Sequence, residues 1–276
     1  MNIYTQEHIR KSMNPRQAAA LIADGFIAYA QGQVQLPPTQ SLQFSANNGD
    51  CCVKSAWLLG DQTFSVRVSA GFYNNPKKGL SSNDGVTLIF SALTGQPVAM
   101  LQDGGWLTSM RTALAGQIVA GAMAPSHVTG IGIVGTGEQA QMQLEQLMPV
   151  TGCRRLTVYG RDQQSLMRYR KFAEALDFDV ATTQDAKDVA TNSNLIITAT
   201  PSREAIIASD WVRPGTHITA VGADGFGKQE LDVKLVARAD VIVVDSIEQC
   251  SQYGETSWAL NQALLTKQDS SHLVTC

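Results

Sequence analysis

Apolar and polar positions follow different patterns in the first and second parts of the chain. Between residues 51 and 102, β-prone runs of strand length are separated by turn-forming residues at 74–76 and 93–96. These runs predict strands at 51–59, 63–70, 86–91 and 97–102. Because short turns join consecutive strands, we expect a mainly antiparallel sheet in this part.

From residue 128 onward, apolar runs of strand length alternate with helical patterns. Strands are predicted at 155–159, 178–181, 194–199, 217–221 and 241–245, and a helix at 163–176. Such alternation predicts an α/β fold with a doubly wound parallel sheet covered by helices on both faces.

Two further helices are predicted in the first half of the chain. Asn14 and Pro15 supply a capping residue and a proline at the first helical position, and Gly32 is placed to end that helix. Thr108 is expected to cap a second helix that runs to residue 124. Arg111 then falls in the first turn, where the helix dipole disfavours a cation. Arg111 is either a solvated side chain or part of an anion site, and we favour the anion site.

The segment 130–140, with the sequence GIGIVGTGEQA, indicates a strand, a tight turn and a helix. This order is typical of the unit that opens a dinucleotide-binding domain, although a βα turn of another α/β protein remains the alternative. A pyrophosphate would then face the backbone N–H groups and the positive end of the helix dipole. The predicted contacts are Gly135 for the turn, Gly137 for close backbone approach, Ala140 for close packing, and Thr136, Glu138 and Gln139 between them.

The residues that follow the second strand of this domain distinguish the two nicotinamide cofactors. NAD sites usually carry an acid there for the ribose 2′-hydroxyl, whereas NADP sites need a cation for the 2′-phosphate. Gly160 stands at or next to the acid position and Arg161 can reach a phosphate, which favours NADPH, while Asp162 leaves NADH open. Thr200 and Val221 should lie at the same carboxyl edge of the sheet and contact the cofactor.

Composition excludes several classes of protein. The 276 residues suggest about two domains, and the net charge of -3, without a long basic run, argues against nucleic acid or an anionic membrane as the partner. Residues 1–8 lack an apolar signal region, and no later run reaches the ~18 apolar residues of a membrane span. We therefore expect a cytoplasmic protein.

Cysteine and histidine positions do not indicate a metal site. The cysteines contain no C-x-x-C pair and the histidines lack ligand spacing, so we expect reduced, mostly buried thiols and no metal. The residues concerned are Cys51, Cys52, Cys153, Cys250 and Cys276, and His8, His127, His217 and His272.

Three motifs in order resemble the ornithine cyclodeaminase/mu-crystallin family over nearly the whole chain. They are LTSMRTA at 107–113, GTGEQA at 135–140 and GADGFGKQEL at 222–231. The resemblance implies a homodimer whose subunits combine an antiparallel substrate and dimerisation domain with a Rossmann domain. We expect these domains at 1–125, with the helix 108–124 as a link, and at 126–255. The segment 256–276 looks shortened relative to the family and is expected to return toward the first domain.

The resemblance also assigns roles to individual residues. Arg111 matches the arginine that binds the substrate carboxylate, and Asp224 matches an acid at the reacting nitrogen, although a solvated turn residue is the alternative for Asp224. Arg67 stands where the family usually has a substrate-binding lysine. Thr112 and Ser82 are expected on the cofactor side. Many members place an arginine after residues 37–38, where this chain has Thr-Gln, and Lys54 could compensate.

The function implied by the resemblance is reduction of a small cyclic imino acid by NAD(P)H. Hydride would pass to the C=N bond of Δ1-pyrroline-2-carboxylate or Δ1-piperideine-2-carboxylate and give L-proline or L-pipecolate. NADPH is the expected cofactor, with NADH possible, and no nucleic acid or membrane partner is expected. An ornithine cyclodeaminase and a non-catalytic protein that binds NADPH and a small ligand are the alternatives.

Overall fold

The computed structural model describes residues 1–266 and 273–275. The chain divides into two compact units, Met1–Arg111 and Thr112–Cys276. The division falls inside the helix that was expected to link two domains, and the domain limits at 125 and 255 stay predictions.

The first unit is built on a sheet of strands β1 to β7. Their order is β1-β7-β6-β5-β4-β2, with β3 also paired to β4. All neighbours are antiparallel except β1 and β7, so the predicted mainly antiparallel sheet is confirmed. The strands are Asn2–Thr5 (β1), Val34–Gln35 (β2), Gln40–Phe44 (β3), Gly49–Leu58 (β4), Thr63–Phe72 (β5), Asn83–Ser91 (β6) and Pro97–Gln102 (β7).

Helices α1 and α2 occupy the start of the first unit, at Gln6–Ser12 and Pro15–Ala30. The side chain of Asn14 accepts the backbone N–H groups of Arg16 and Gln17 at 3.0 and 3.2 Å, as a capping residue should. Gly32, just past the helix end, has a φ of 70°, which favours glycine. Both predicted ends of α2 are confirmed.

Helix α3, Trp106–Met123, begins two residues earlier than predicted. Asp103 Oδ2 accepts the backbone N–H of Leu107 at 2.8 Å, after Gly104 and Gly105 turn the chain with positive φ angles. The prediction that Thr108 caps this helix is therefore wrong. Arg111 lies in the second turn, and since the dipole effect fades within the first turn, the argument from an unfavourable dipole does not apply to it.

The second unit contains a five-stranded parallel sheet in the order β10-β9-β8-β11-β13, among the described residues. This is the strand order of a doubly wound dinucleotide-binding sheet, which confirms the predicted fold class. Its strands are Ile131–Val134 (β8), Arg155–Tyr159 (β9), Asp179–Thr183 (β10), Leu195–Thr198 (β11) and His217–Ala220 (β13). The remaining strands are Arg203–Ile207 (β12), Gln229–Leu231 (β14), Ile242–Val244 (β15) and Leu273–Thr275 (β16), which pair as β12 with β14 and β15 with β16.

Helices cover both faces of the parallel sheet. After α3, the described helices of this unit are Glu138–Leu147 (α4), Gln163–Glu174 (α5), Ala186–Asn192 (α6), Val233–Ala237 (α7), Ile247–Gln252 (α8) and Glu255–Asn261 (α9). Ile133 and Leu144 belong to the buried cluster on one face, whereas Val134 and Val189 belong to the cluster on the other. Alternation of side chains along each strand thus fills two apolar layers, as predicted.

The described part of the segment 256–276 contacts the second unit. Helix α9 packs against α7 and α8, and β16 pairs with β15. The return of the segment 256–276 toward the first domain stays a prediction. His272 and Cys276 lie outside the described residues.

The four described cysteines are free, as expected, but each is only half-buried, so the expectation of mostly buried thiols is wrong. Burial raises the pKa of the Cys52 thiol, and burial with the nearby Asp245 carboxylate raises that of Cys250 to about 12. In the described part of the chain, no helix combines the length and the apolar character that crossing a membrane requires. Nor do three His, Cys, Asp or Glu side chains of these residues form a group that could hold a metal ion.

Candidate active site

The glycine turn between β8 and α4 has the backbone geometry that a dinucleotide site requires. Gly135 has a φ of 115°, and its backbone N–H donates to the carbonyl of Tyr159 at 3.0 Å. A side chain at Gly135 would lie 2.8 Å from the carbonyl oxygen of Ala199 and 3.2 Å from Thr200 Cγ2. The turn therefore requires glycine and lies directly beside the end of β11.

The N-terminus of α4 is left open for an anion. Gly137 is its capping residue and provides no side-chain hydrogen bond, whereas aspartates cap α5, α6 and α7. No atom lies within 4 Å of a Cβ placed on Gly137, and the buried Nε2 of Gln139 has no hydrogen-bond partner among the described residues. Uncapped N–H groups at a helix N-terminus suit phosphate, so these residues fit a dinucleotide.

Helix α3 lies against α4 within the second unit. Gln143 Nε2 donates to the carbonyl of Thr112 at 3.2 Å, and a side chain at Gly116 would collide with the Gln143 amide. Helices α3 and α4 therefore approach closely, and this contact places the half-buried Thr112 beside α4.

Gly160, Arg161 and Asp162 follow β9 and take different environments. Gly160 is buried, and a Cβ there would lie 2.9 Å from Thr136 Cγ2, so the backbone passes close to the glycine turn. Arg161 is exposed and forms no salt bridge among the described residues. Asp162 caps α5 and accepts the N–H of Ser165 at 2.8 Å. Hydrogen bonds from the side chain and backbone of Ser165 lower the pKa of Asp162.

The carboxyl ends of β11 and β13 are joined by Glu230, a residue that the sequence did not single out. Its carboxylate is fully buried and accepts four hydrogen bonds, from the hydroxyls of Thr198 and Thr200 and the backbone N–H groups of Thr200 and Gly222. Burial raises the pKa of Glu230, and these hydrogen bonds oppose the rise. Leu231 is the one apolar residue among its neighbours from 228 to 232, so no apolar pattern indicates the burial of Glu230.

Asp224 lies on the loop after β13, near the same edge of the sheet. Lys228 Nζ donates to Asp224 Oδ1 at 2.5 Å; the lysine side chain is 8% exposed and the aspartate 67%. Trp258 Nε1 donates to the carbonyl of Lys228 at 2.8 Å and ties the loop to α9. The Asp224 carboxylate therefore faces solvent on a loop that Lys228 and Trp258 hold in place. Val221, on the same loop, donates its N–H to the carbonyl of Thr198 at 3.0 Å.

Lys54 and Arg67 face each other across β4 and β5 in the first unit. Paired residues of neighbouring strands have their side chains on one face of the sheet. Arg67 is bound to the fully buried Asp103 at 3.2 and 3.1 Å and to Thr87 Oγ1 at 2.7 Å. Most of the guanidinium of Arg67 is thus occupied within the protein.

The other two predicted residues of the first unit are Ser82 and Arg111. Ser82 precedes β6, and its carbonyl accepts the N–H of Phe72 at 2.7 Å. Arg111 is exposed on α3. No contact between Ser82 and a cofactor follows from this geometry, and its assignment stays a prediction.

The parallel sheet, the open helix N-terminus and the residues at the carboxyl edge of the sheet define a dinucleotide-binding domain of the Rossmann class. Residues 1–272 match the model of the ornithine cyclodeaminase/mu-crystallin family, and the chain belongs to that family. It is accordingly an NAD(P)-dependent oxidoreductase, as predicted.

Three known proteins illustrate the relationship. A putative dehydrogenase of Rhizobium meliloti is 34% identical over 268 residues, which are 96% of this chain and 81% of that protein. An archaeal alanine dehydrogenase dimer with bound NAD has a TM-score of 0.89 at 30% identity, covering 98% and 82% of the two chains. The Thermococcus litoralis Δ1-pyrroline-2-carboxylate reductase, solved with NADH and L-proline, shares the fold with a TM-score of 0.91 at 24% identity, covering 100% and 84%.

Proposed function

We propose that the protein reduces the C=N bond of a small cyclic imino acid, Δ1-pyrroline-2-carboxylate or Δ1-piperideine-2-carboxylate, with NADPH. The observation that carries the proposal is the solvent-facing carboxylate of Asp224 on a fixed loop at the cofactor edge of the sheet. A carboxylate at this place stabilises a positively charged iminium nitrogen, which is the form of the substrate that accepts hydride.

The bound nicotinamide supplies the hydride, and the residues of the chain orient the substrate and stabilise its charge. Hydride adds to the imine carbon while the nitrogen keeps or receives one proton. The ammonium of Lys228, 2.5 Å from Asp224, is part of the same polar pair and can exchange a proton with it. The product is the cyclic amino acid together with the oxidised cofactor.

The substrate carboxylate is assigned to Arg111 and Lys54. Arg67 already binds Asp103 and Thr87. We therefore assign it a structural role, in which it stabilises the sheet face that carries Lys54. Thr39 and Gln40 stand where many members have a further substrate-contacting arginine. This departure resembles the ketimine reductases more than the ornithine cyclodeaminases, which supports a cyclic imino acid.

The preference for NADPH rests on the residues after β9. The carboxylate of Asp162 caps α5. Its hydrogen bond therefore directs it to the helix backbone and not to a ribose hydroxyl. Arg161 is exposed beside Gly160 and can pair with a 2′-phosphate.

Homodimer formation is part of the same proposal and is tested by light scattering of the purified protein.

An alanine dehydrogenase is the second candidate, because the archaeal enzyme is 30% identical over 98% of this chain. Both candidate enzymes need residues that bind the substrate carboxylate. Both also need an acidic side chain near the reacting nitrogen. They differ in the size of the substrate, and hence in whether the ring of a cyclic imine or the methyl group of pyruvate is accepted.

A substrate panel with both reduced cofactors tests the proposal. Oxidation of NADPH or NADH is followed with each cyclic imino acid and, separately, with pyruvate and ammonium; ammonia release from ornithine is measured in parallel. Turnover of a cyclic imino acid at the highest kcat/KM supports the proposal. Preference for pyruvate with ammonium supports an alanine dehydrogenase. Ammonia release from ornithine supports a cyclodeaminase. Tight NADPH binding without any turnover supports a binding protein.

A further inference from the structure

Glu230 joins the ends of two adjacent strands through one carboxylate. Oε1 accepts the N–H and the hydroxyl of Thr200, each at 2.7 Å, and Oε2 accepts the hydroxyl of Thr198 and the N–H of Gly222, each at 2.8 Å. Thr198 ends β11 and Gly222 follows β13, and these strands are hydrogen-bonded neighbours. The carboxylate therefore sets the distance between the two loops that leave this edge of the sheet.

These four donors are the groups that compensate the buried charge. Among the described residues, no salt bridge involves Glu230. Because an isolated buried carboxylate is costly, its hydrogen-bond donors must stay in place while it is ionised. The geometry of both loops is thus coupled to one side chain.

Gly222 shows how closely the loops are fixed. A side chain there would collide with the backbone of Thr200 and with the carboxylate of Glu230. Asp224 follows only two residues later. A shift of Gly222 relative to Thr200 would therefore move the proposed acid relative to the proposed cofactor contact.

We propose that Glu230 is a positioning residue for the reaction: it holds Thr200 and residues 222–224 in register, and so places Asp224 relative to the bound cofactor. This inference rests on the proposed function for its effect on catalysis. Glu230 itself is buried away from the substrate and acts through Asp224.

Glu230→Gln is the first test, because it keeps the shape but presents an amide N–H₂ where a backbone N–H needs an acceptor. We expect kcat with the imino acid to fall about 100-fold, the scale on which misplacing a group by about 1 Å acts. In an Asp224→Asn background the same change should lower kcat by at most about tenfold, because coupled residues are not additive. An equal fall in both backgrounds, or no fall in the parent, would overturn the inference.

Thr198→Val provides a milder variant in case Glu230→Gln does not fold, since it removes one donor and keeps the side-chain volume. Thr157→Val is its matched control, because Thr157 is a buried threonine of β9 in the same sheet and does not hydrogen-bond Glu230. We expect kcat to fall in Thr198→Val and to stay within about twofold of the parent in Thr157→Val, as for a substitution without a shared partner. Equal effects of the two variants would reject positioning.

Hydrogen exchange gives a measurement that does not depend on activity. Peptides covering 198–201 and 220–224 should exchange faster in Glu230→Gln and Thr198→Val than in the parent, while the peptide covering β8 should not change. Unchanged exchange at both loops would overturn the inference even if kcat falls. Absence of turnover in the parent protein would reject the proposed function, and the exchange result alone would then decide the role of Glu230.

Discussion

The buried carboxylate of Asp103 forms a bidentate ion pair with the guanidinium of Arg67, with N–O distances of 3.2 and 3.1 Å. The same carboxylate accepts the N–H of Leu107 at the start of α3. Arg67 is 17% exposed and Asp103 is fully buried. One acid thus connects the central sheet of the first unit to the helix that carries Arg111.

Breaking this pair should destabilise the protein strongly. Asp103→Asn leaves the Arg67 charge without its partner, and we expect a loss of about 3–5 kcal/mol in the free energy of unfolding, as for other buried pairs. Urea denaturation followed by circular dichroism measures it. Glu7→Gln is the matched control, because its ion pair with Lys11 is 74% exposed on both sides and such pairs contribute about 0–1 kcal/mol. Equal losses in the two variants would contradict a structural role for Asp103.

Arg161→Ala should reduce the preference for NADPH over NADH. Loss of a charged partner of the 2′-phosphate costs about 1.5–3 kcal/mol, which is roughly tenfold or more in the dissociation constant of NADPH. NADH affinity should not change. Arg155→Ala is the control, because Arg155 is exposed at the other end of the same strand. Equal dissociation constants of the unmutated protein for NADPH and NADH would refute the assignment.

Arg111→Ala and Lys54→Met should impair use of the imino acid without affecting the cofactor. Each removes a proposed charged partner of the substrate carboxylate, so we expect KM to rise about 10- to 100-fold. The dissociation constant of NADPH, measured without substrate, should stay within about twofold, since uncoupled sites act independently. Arg16→Met, an exposed residue of α2, is the control. A weaker binding of NADPH at constant KM would instead assign Arg111 to the cofactor phosphates.

The pH dependence of stability should report on Glu255. Burial raises its pKa from 4.5 to about 7, although its carboxylate accepts the backbone N–H groups of Glu230 and Leu231. Between these values the folded protein keeps a proton that the unfolded chain releases. This group therefore lowers stability as pH rises from about 4.5 to 7, by up to about 1.4 kcal/mol per pH unit.

Glu255→Gln should flatten that dependence between pH 5 and 7 in urea denaturation. It should not remove the dependence entirely, because burial also raises the pKa of Glu230. Glu174→Gln is the control, since Glu174 forms an exposed ion pair with Arg170 on α5. A slope for Glu255→Gln equal to that of the parent would show that Glu255 does not titrate in this range.

Local sequence chemistry predicted the parts of the fold that depend on neighbouring residues. The strands β7 and β9 have the predicted limits because turn residues bound their apolar runs. The turn at Gly135 was recognised because only glycine tolerates its backbone angle. Helix α6 was not predicted, because its seven residues include too few apolar positions for a helical pattern.

The sequence could not predict features that depend on residues distant along the chain. Thr108 has the character of a capping residue, yet Asp103 takes that place once two glycines turn the chain. Glu230 is buried because Thr198, Thr200 and Gly222 surround its carboxylate, and they lie 8 to 32 positions away. The local sequence gives no indication of such a network.

Asp224→Asn tests the role of the proposed acid. The variant keeps the shape of the side chain and removes its charge and its capacity to carry a proton. If the charge stabilises the iminium in the transition state, kcat should fall about 100-fold or more while NADPH affinity is nearly unchanged, since positioned acid–base and electrostatic groups contribute on that scale. Because Asp224 is 67% exposed, the melting temperature should stay close to that of the parent, which excludes misfolding as the cause. Asp185→Asn, a change of the same kind at the cap of α6, is the matched control for kcat. Parental turnover by Asp224→Asn across a pH series would leave Asp224 with a structural role, and the proton donor would then be Lys228, Lys54 or water.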